Sequence, residues 1–360
     1  MSREGVSSNR LKGVIKRKLL WGVDAVGARL RGDTDLKDTI VVAGVPRGGT
    51  TWLMEILATL PDYRTVFEPL NPVWFRVVGE MGLGPRLYLP LEAEAPRVRG
   101  YLTKALTGNV CSTSPHHPLT PQAMGRRLRG RRTIVKFVRA NSLLPWLATG
   151  FHVRRIYVII RHPCAVVESQ MRTGVTGHSI LSEVCLFPSG VGRGRWRIYG
   201  KIGERSKDRE VEIADLLAGA SQVPEIRENR ALLGKIETLE TEEELLAALW
   251  CIDHLIPLSD LGSRLWHTVF YEKLVTEGGE VLKEVFGTIG EEVPYGAYAK
   301  LGTPSSTARS DLRERSGALS RWKRSLSQDQ IHRILRIVDW FGFKAYSTDP
   351  EPDYGALRTG

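Results

Sequence analysis

The chain has 360 residues, 42% of them hydrophobic and 25% charged, so it can bury a large core and is not compositionally disordered. A formal net charge of +11 favours an anionic partner, whether nucleotide, acidic polymer or membrane surface. The four cysteines, Cys111, Cys164, Cys185 and Cys251, lie far apart and form no C-x-x-C pair, which argues against a disulfide framework and a zinc site.

Residues 1–35 form a basic extension in which Leu11, Val14, Ile15, Leu19 and Val23 recur at helical spacing among Lys12, Lys16, Arg17 and Lys18. Two readings stand: an amphipathic helix in peripheral contact with an anionic membrane, or a helix packed on the domain with its basic face in water. The opening residues lack the apolar core and cleavage site of a signal peptide, and no apolar run approaches the ~18 residues of a membrane span. A cytoplasmic protein is expected.

Residues 36–345 read as one domain. A β-branched run at 39–43 stops at Gly44, and over 50–60 Leu53, Ile56, Leu57 and Leu60 share a helical face, giving strand, tight loop and helix. The loop between them, Gly44-Val45-Pro46-Arg47-Gly48-Gly49-Thr50-Thr51, can turn its N–H groups on a phosphate. Gly44, Gly49 and Thr51 fit the Walker pattern, but Thr50 stands where that pattern has its lysine. The loop is therefore suited to a phosphate but not to a triphosphate, and its cation is Arg47.

A second strand at 65–67 ends in Glu68-Pro69, and the proline biases Glu68 away from helix, leaving its carboxylate at the strand's carboxyl end as a general base or an ion-pair partner, Arg47 being one candidate. His116 and His117, in a Pro-flanked loop, are alternative bases. Arg126, Arg127, Arg129, Arg131 and Arg132 make a basic cluster, open to an anionic acceptor or a solvated face. A third strand at 133–138 carries Lys136 with Arg139 just after it, for cofactor, acidic acceptor or salt bridges. After a helix at 142–149 and a fourth strand at 155–160 come Arg161-His162-Pro163 and a helix over 165–171 bearing Ser169.

An insertion at about 172–240, with Arg193, Arg195 and Arg197 near Trp196, is expected over the sheet's carboxyl edge. Helices at 242–258, 280–289 and 328–341, a strand at 267–270 and a tail at 346–360 complete the chain. Buried-looking strands alternating with helices argue for a doubly wound parallel α/β sheet with a helical insertion. No nucleic-acid-binding motif accompanies the basic clusters, and no Asp/His cluster calls for a metal.

Pro46-Arg47-Gly48-Gly49-Thr50-Thr51-Trp52-Leu53 resembles the 5′-phosphosulfate loop of the sulfotransferase family, and the run from Arg161 to Ser169 resembles that family's 3′-phosphate motif. Phe67-Glu68-Pro69-Leu70, with Trp74, is similar to a segment of carbohydrate-type members in which the glutamate is the candidate base. The resemblance implies a P-loop fold and 3′-phosphoadenosine 5′-phosphosulfate as donor, bound by Arg47, Gly48, Gly49, Thr50, Thr51, Trp52, Arg161 and Ser169. It further implies catalysis by Arg47 and Glu68 on a hydroxyl of a glycan, glycolipid or polysaccharide. Tyr271-Glu272-Lys273-Leu274 resembles another family segment, with lysine replacing an acid, and reads as mainly structural. The closing run Ser316–Lys323 resembles the segment that folds over the nucleotide in the family, so that Trp322 packs near adenine or in the core. The rivals are a P-loop kinase or nucleotide hydrolase with a degenerate loop, and a non-catalytic polyanion- or membrane-binding protein.

Overall fold

The computed structural model describes residues 19, 20, 22–27, 29, 34–72, 74–83, 86–110, 120–173, 209–307, 317 and 319–359. Five strands, β1 (Thr39–Ala43), β2 (Tyr63–Phe67), β3 (Arg132–Lys136), β4 (Arg155–Ile160) and β5 (His267–Phe270), form one parallel sheet in the order β2-β3-β1-β4-β5. β1 (TIVVA) and β4 (RIYVII) are nearly unbroken apolar runs because both faces of the sheet are covered there. Ile40 and Val42 enter one core cluster, while Val41 and Ala43 enter the other. The doubly wound parallel sheet expected from the sequence is the observed architecture.

The helices that bear on the site are α1 (Thr50–Leu57), α2 (Pro163–Thr173), α3 (Glu242–Ser259), α4 (Tyr271–Thr276), α5 (Gly278–Gly287), α6 (Tyr295–Leu301), α7 (Arg321–Ser325) and α8 (Gln328–Trp340). Leu53 and Ile56 of α1 and Leu282 and Phe286 of α5 pack on the Ile40 face. Val166 of α2, Leu245 of α3 and Ile334 of α8 pack on the Val41 face. Capping boxes fix the starts of α3, through Thr241 and Glu244, and α8, through Ser327 and Gln330. The two helices are joined by Arg333–Glu243 and Arg336–Glu244 ion pairs, both 2.6 Å.

Leu20 of the N-terminal segment is fully buried, and Asp24 meets Arg127 at 2.5 Å, which is the packed-helix reading for the described part of that segment. Lys12, Lys16, Arg17 and Lys18 lie outside the described residues. The basic cluster at 126–132 is partly spent on the fold. Arg126 donates to the Ala58 carbonyl, and Arg132 pairs with Glu291 at 3.2 Å. Of the insertion, the described part is helical, at Arg209–Ala220, Pro224–Arg227 and Arg230–Glu237, while Arg193, Arg195, Trp196 and Arg197 lie outside the described residues.

The segment read as a tail does not trail away. Tyr346 is buried, Asp353 N–H donates to the Ala345 carbonyl, and Ser347 presents its carbonyl to the His162 ring at 3.2 Å. Proline and glycine in this segment end regular structure without preventing packing. Among the described residues no helix is long and apolar enough to cross a membrane.

Ile159 is fully buried on β4, its side chain beneath both ends of the loop after β1. Ile159→Ala is expected to cost about 2–5 kcal/mol, read as a lowered midpoint in urea denaturation at unchanged slope.

Candidate active site

Because β1 lies between β3 and β4, the loop after β1 and the turn after β4 emerge side by side at the carboxyl edge, where connections diverge and open α/β sheets hold ligands. The β1–α1 loop is pressed against this neighbour. A Cβ at Gly44 would lie 2.7 Å from the Ile159 carbonyl oxygen. Gly49 has φ 101° and caps α1, and a Cβ there would stand 2.6 Å from a ring carbon of Tyr271. Only glycine meets both demands at position 49.

Among the described residues no side chain caps the N-terminus of α1, and no acidic residue occupies its first turn. Its leading N–H groups, which have no intrahelical acceptor, and the positive end of its dipole make a position where an anion would be favoured. Thr50 and Thr51 are buried at that end.

Arg47 stands in the left-handed region, φ 68°, a conformation that is costly for a non-glycine residue. Its Nε donates to Ser169 Oγ at 3.0 Å and its Nη1 to the Thr307 carbonyl at 3.2 Å. Arg161 Nη1 donates to the Arg47 carbonyl at 3.1 Å. Gln170 Nε2 donates to the Pro46 carbonyl at 3.0 Å. The fold therefore gathers Arg47, Arg161 and Ser169, although Ser169 meets Arg47 rather than Arg161. With Pro163 opening α2, Ser169 stands about two turns into the helix and faces the β1 loop.

The Arg161–His162 turn is tied on several sides. Trp250 Nε1 donates to the Arg161 carbonyl at 3.0 Å, and Glu272 Oε1 accepts the His162 N–H at 2.9 Å. His162 Nδ1 accepts from Cys164 N–H, so its proton is assigned to Nε2, which donates to Ser347. Burial pushes the His162 pKa down to about 3, keeping the ring neutral. Trp322 is 1% exposed and stacked on His162 at 4.9 Å, which makes it a core residue here rather than an open adenine platform. Trp52 is likewise committed, its Nε1 donating to the Lys300 carbonyl and its ring 5.4 Å from Tyr271.

Glu68 directly follows β2, with φ 50°. Its Oε1 is 2.5 Å from Lys136 Nζ, its Oε2 is 3.6 Å from Arg139 Nη1, and Asn71 Nδ2 donates to Oε2 at 3.4 Å. Among the described residues Glu68 is thus paired with Lys136 and Arg139, not with Arg47. β2–β3 pairing places Phe67 opposite Lys136, a register that the sequence does not reveal before the strand order is known. Burial pushes the Glu68 pKa up, but Lys136 and then Arg139 more than offset it and hold the carboxyl below its usual range. Burial lowers the Lys136 pKa, Glu68 opposes that shift, and Arg139 and Arg47 add to it. His116 and His117 lie outside the described residues.

The fold and loop define a class: an α/β protein with a glycine-rich strand-to-helix loop at the switch point of a parallel sheet. Two solved structures are similar to the chain, the sulfotransferase domain from the curacin biosynthetic pathway and the sulfotransferase domain from the Synechococcus PCC 7002 olefin synthase. The first is 14% identical with a TM-score of 0.42, covering 86% of this chain and 98% of that one. The second is 15% identical with a TM-score of 0.42, covering 87% and 98%. No family model matches the chain, and no curated protein matches it.

Gly49→Ala is expected to destabilise by about 1–3 kcal/mol, read in thermal unfolding, because the added methyl must displace Tyr271 in a strained backbone. For Glu68, whose folded pKa is depressed, the ionic contribution to stability is fully present above its unfolded value near 4.5 and is lost as pH falls through the lower folded value. Unfolding measured from pH 6 to pH 3 is expected to show a smaller acid-side loss in Glu68→Gln than in wild type. Equal slopes for both would remove Glu68 from the acid-sensitive set.

Proposed function

We propose that the protein is a sulfotransferase that moves a sulfuryl group from 3′-phosphoadenosine 5′-phosphosulfate to an acceptor hydroxyl. The observation that carries this reading is the meeting of Arg47, Ser169 and Arg161 beside the uncapped start of α1, with Thr50 in place of a Walker lysine. Two anion-binding elements joined by direct hydrogen bonds suit a nucleotide with phosphate at both its 5′ and 3′ positions. Arg161 Nε is buried without a hydrogen-bond partner among the described residues, a donor whose desolvation an anion would offset.

In this reading Gly48, Gly49, Thr50 and Thr51 cradle the 5′-phosphate, and Arg161 with Ser169 holds the 3′-phosphate. Arginine suits both places because its planar fork pairs with two phosphate oxygens. When bound, the donor supplies a sulfuryl group already activated by its link to phosphate. Arg47 and the α1 N–H groups neutralise charge gathering on the 5′-phosphate as that link breaks. Glu68, held as a carboxylate by Lys136 and Arg139, accepts the acceptor's hydroxyl proton. Its depressed pKa makes it a weak base, so the proton leaves as the new bond to sulfur forms rather than beforehand. A sugar hydroxyl as acceptor rests on the Phe67–Leu70 resemblance.

Calorimetric titration without magnesium is expected to show adenosine 3′,5′-bisphosphate binding more tightly than 5′-AMP or ATP, with the preference lost in Arg161→Ala. In turnover assays with labelled donor, Arg47→Ala is expected to lower kcat by about 10²–10³. A preference for ATP, or the absence of nucleotide binding by folded protein, sinks the reading.

A further inference from the structure

We propose that Tyr271 and Glu272 are the seat of Arg161: together they fix its guanidinium and its backbone turn in the anion-binding position before any ligand arrives. This rests on the reading of Arg161 as a phosphate ligand and adds to it two positioning residues from the end of the neighbouring strand, β5. Neither belongs to the phosphate loop or to the turn that bears Arg161.

The seat follows from strand pairing. β4 and β5 run parallel with Ile160 opposite Phe270, so the residues that follow each strand, Arg161-His162 and Tyr271-Glu272, leave the sheet together. The Arg161 guanidinium carbon lies 4.3 Å from the Tyr271 ring centroid. The same ring is 5.4 Å from the Trp52 ring and forbids a Cβ at Gly49, so it is wedged against the loop, α1 and Arg161 at once. An aromatic face attracts a guanidinium without using any of its N–H donors, which leaves them for the Arg47 carbonyl and for an anion.

Glu272 works on the backbone. It is 1% exposed, and its Oε1 accepts the His162 N–H at 2.9 Å directly after Arg161. Its other oxygen, Oε2, is buried without a hydrogen-bond partner among the described residues. Arg161 and the neutral His162 face it from the β4 turn, Glu351, Tyr346 and Tyr354 interact with it from the closing segment, and Cys251 of α3 reaches the group through Tyr346. Lys273, on α4, sits over the Tyr354 ring. Burial pushes the Glu272 carboxyl up to about 7, with the His162 N–H and Arg161 opposing and Glu351 reinforcing the shift. An anion on Arg161 disfavours negative charge on Glu272, so binding near neutral pH takes up protons, and affinity contributed through this coupling falls as pH rises through 7.

The variants separate ring, hydrogen bond and charge. Each is checked by its melting curve and titrated calorimetrically with adenosine 3′,5′-bisphosphate at pH 6, 7 and 8. Tyr271→Phe keeps the face and is expected to bind as wild type does, while Tyr271→Leu is expected to bind about tenfold more weakly. Glu272→Gln keeps an acceptor for His162 and loses the titration. Its affinity is expected to change less than wild type over this pH range, after the ligand's own ionisation cancels in the comparison.

A ligand-free measurement, hydrogen exchange at the His162 amide, is expected to be slow in wild type and Glu272→Gln and fast in Glu272→Ala. Wild-type binding with Tyr271→Leu unaffected, or with identical pH profiles for wild type and Glu272→Gln, overturns the seat. No wild-type binding overturns the sulfotransferase reading instead. In that event unchanged His162 exchange in Glu272→Ala still refutes the seat, and fast exchange supports its backbone half.

Discussion

The pairing of β1 with β3 on one side and β4 on the other determines where every candidate group stands. β1 is buried along its whole length, so its register is locked by both cores, and a slip of one residue would exchange its two faces. That lock brings the carboxyl ends of three neighbouring strands to one rim. Arg47 follows β1, Lys136 ends β3 and Arg161 follows β4. Glu68 comes from β2, one strand farther out, and is drawn in by Lys136.

Lys136 and Arg139 share Glu68, Arg47 Nε donates to Ser169 Oγ, and Arg161 Nη1 donates to the Arg47 carbonyl. Arg161 Nε, buried without a hydrogen-bond partner among the described residues, keeps a desolvation cost that an arriving anion would offset. The positive rim and the start of α1 thus favour the same kind of ligand by separate means, one through side-chain charge and the other through backbone dipoles. Protein rigidity here has an electrostatic role, because donors already in place need little reorganisation.

Much of this was legible in the sequence. The apolar runs at 39–43, 133–138 and 155–160, the glycine pair at 48 and 49 and the proline after Glu68 report local demands, and local demands are what a linear pattern records. Pairings made across the sheet were harder. Nothing near Glu68 names Lys136, and nothing near Arg161 names Tyr271 or Glu272, because those contacts depend on strand order and register. Trp322 shows the complementary difficulty: its sequence neighbourhood fits either a cover or a core, and its stacking on a buried, neutral His162 decides between them in this structure. The residues after 345 looked like a tail because prolines and glycine erase periodicity, yet single contacts such as Ser347 to His162 need none.

Arg47 and Glu68 share a backbone feature that bears on how this protein would respond to engineering. Both occupy left-handed conformations that glycine adopts with less strain, and both lie on the rim where charge is concentrated. At Arg47 a selection for thermal robustness alone would meet that strain directly, and glycine would relieve it. At Glu68 the same strain is opposed by the ion pairs to Lys136 and Arg139, which glycine would leave as buried cations without their carboxylate, so one backbone feature carries opposite consequences for folding at two positions on the same rim.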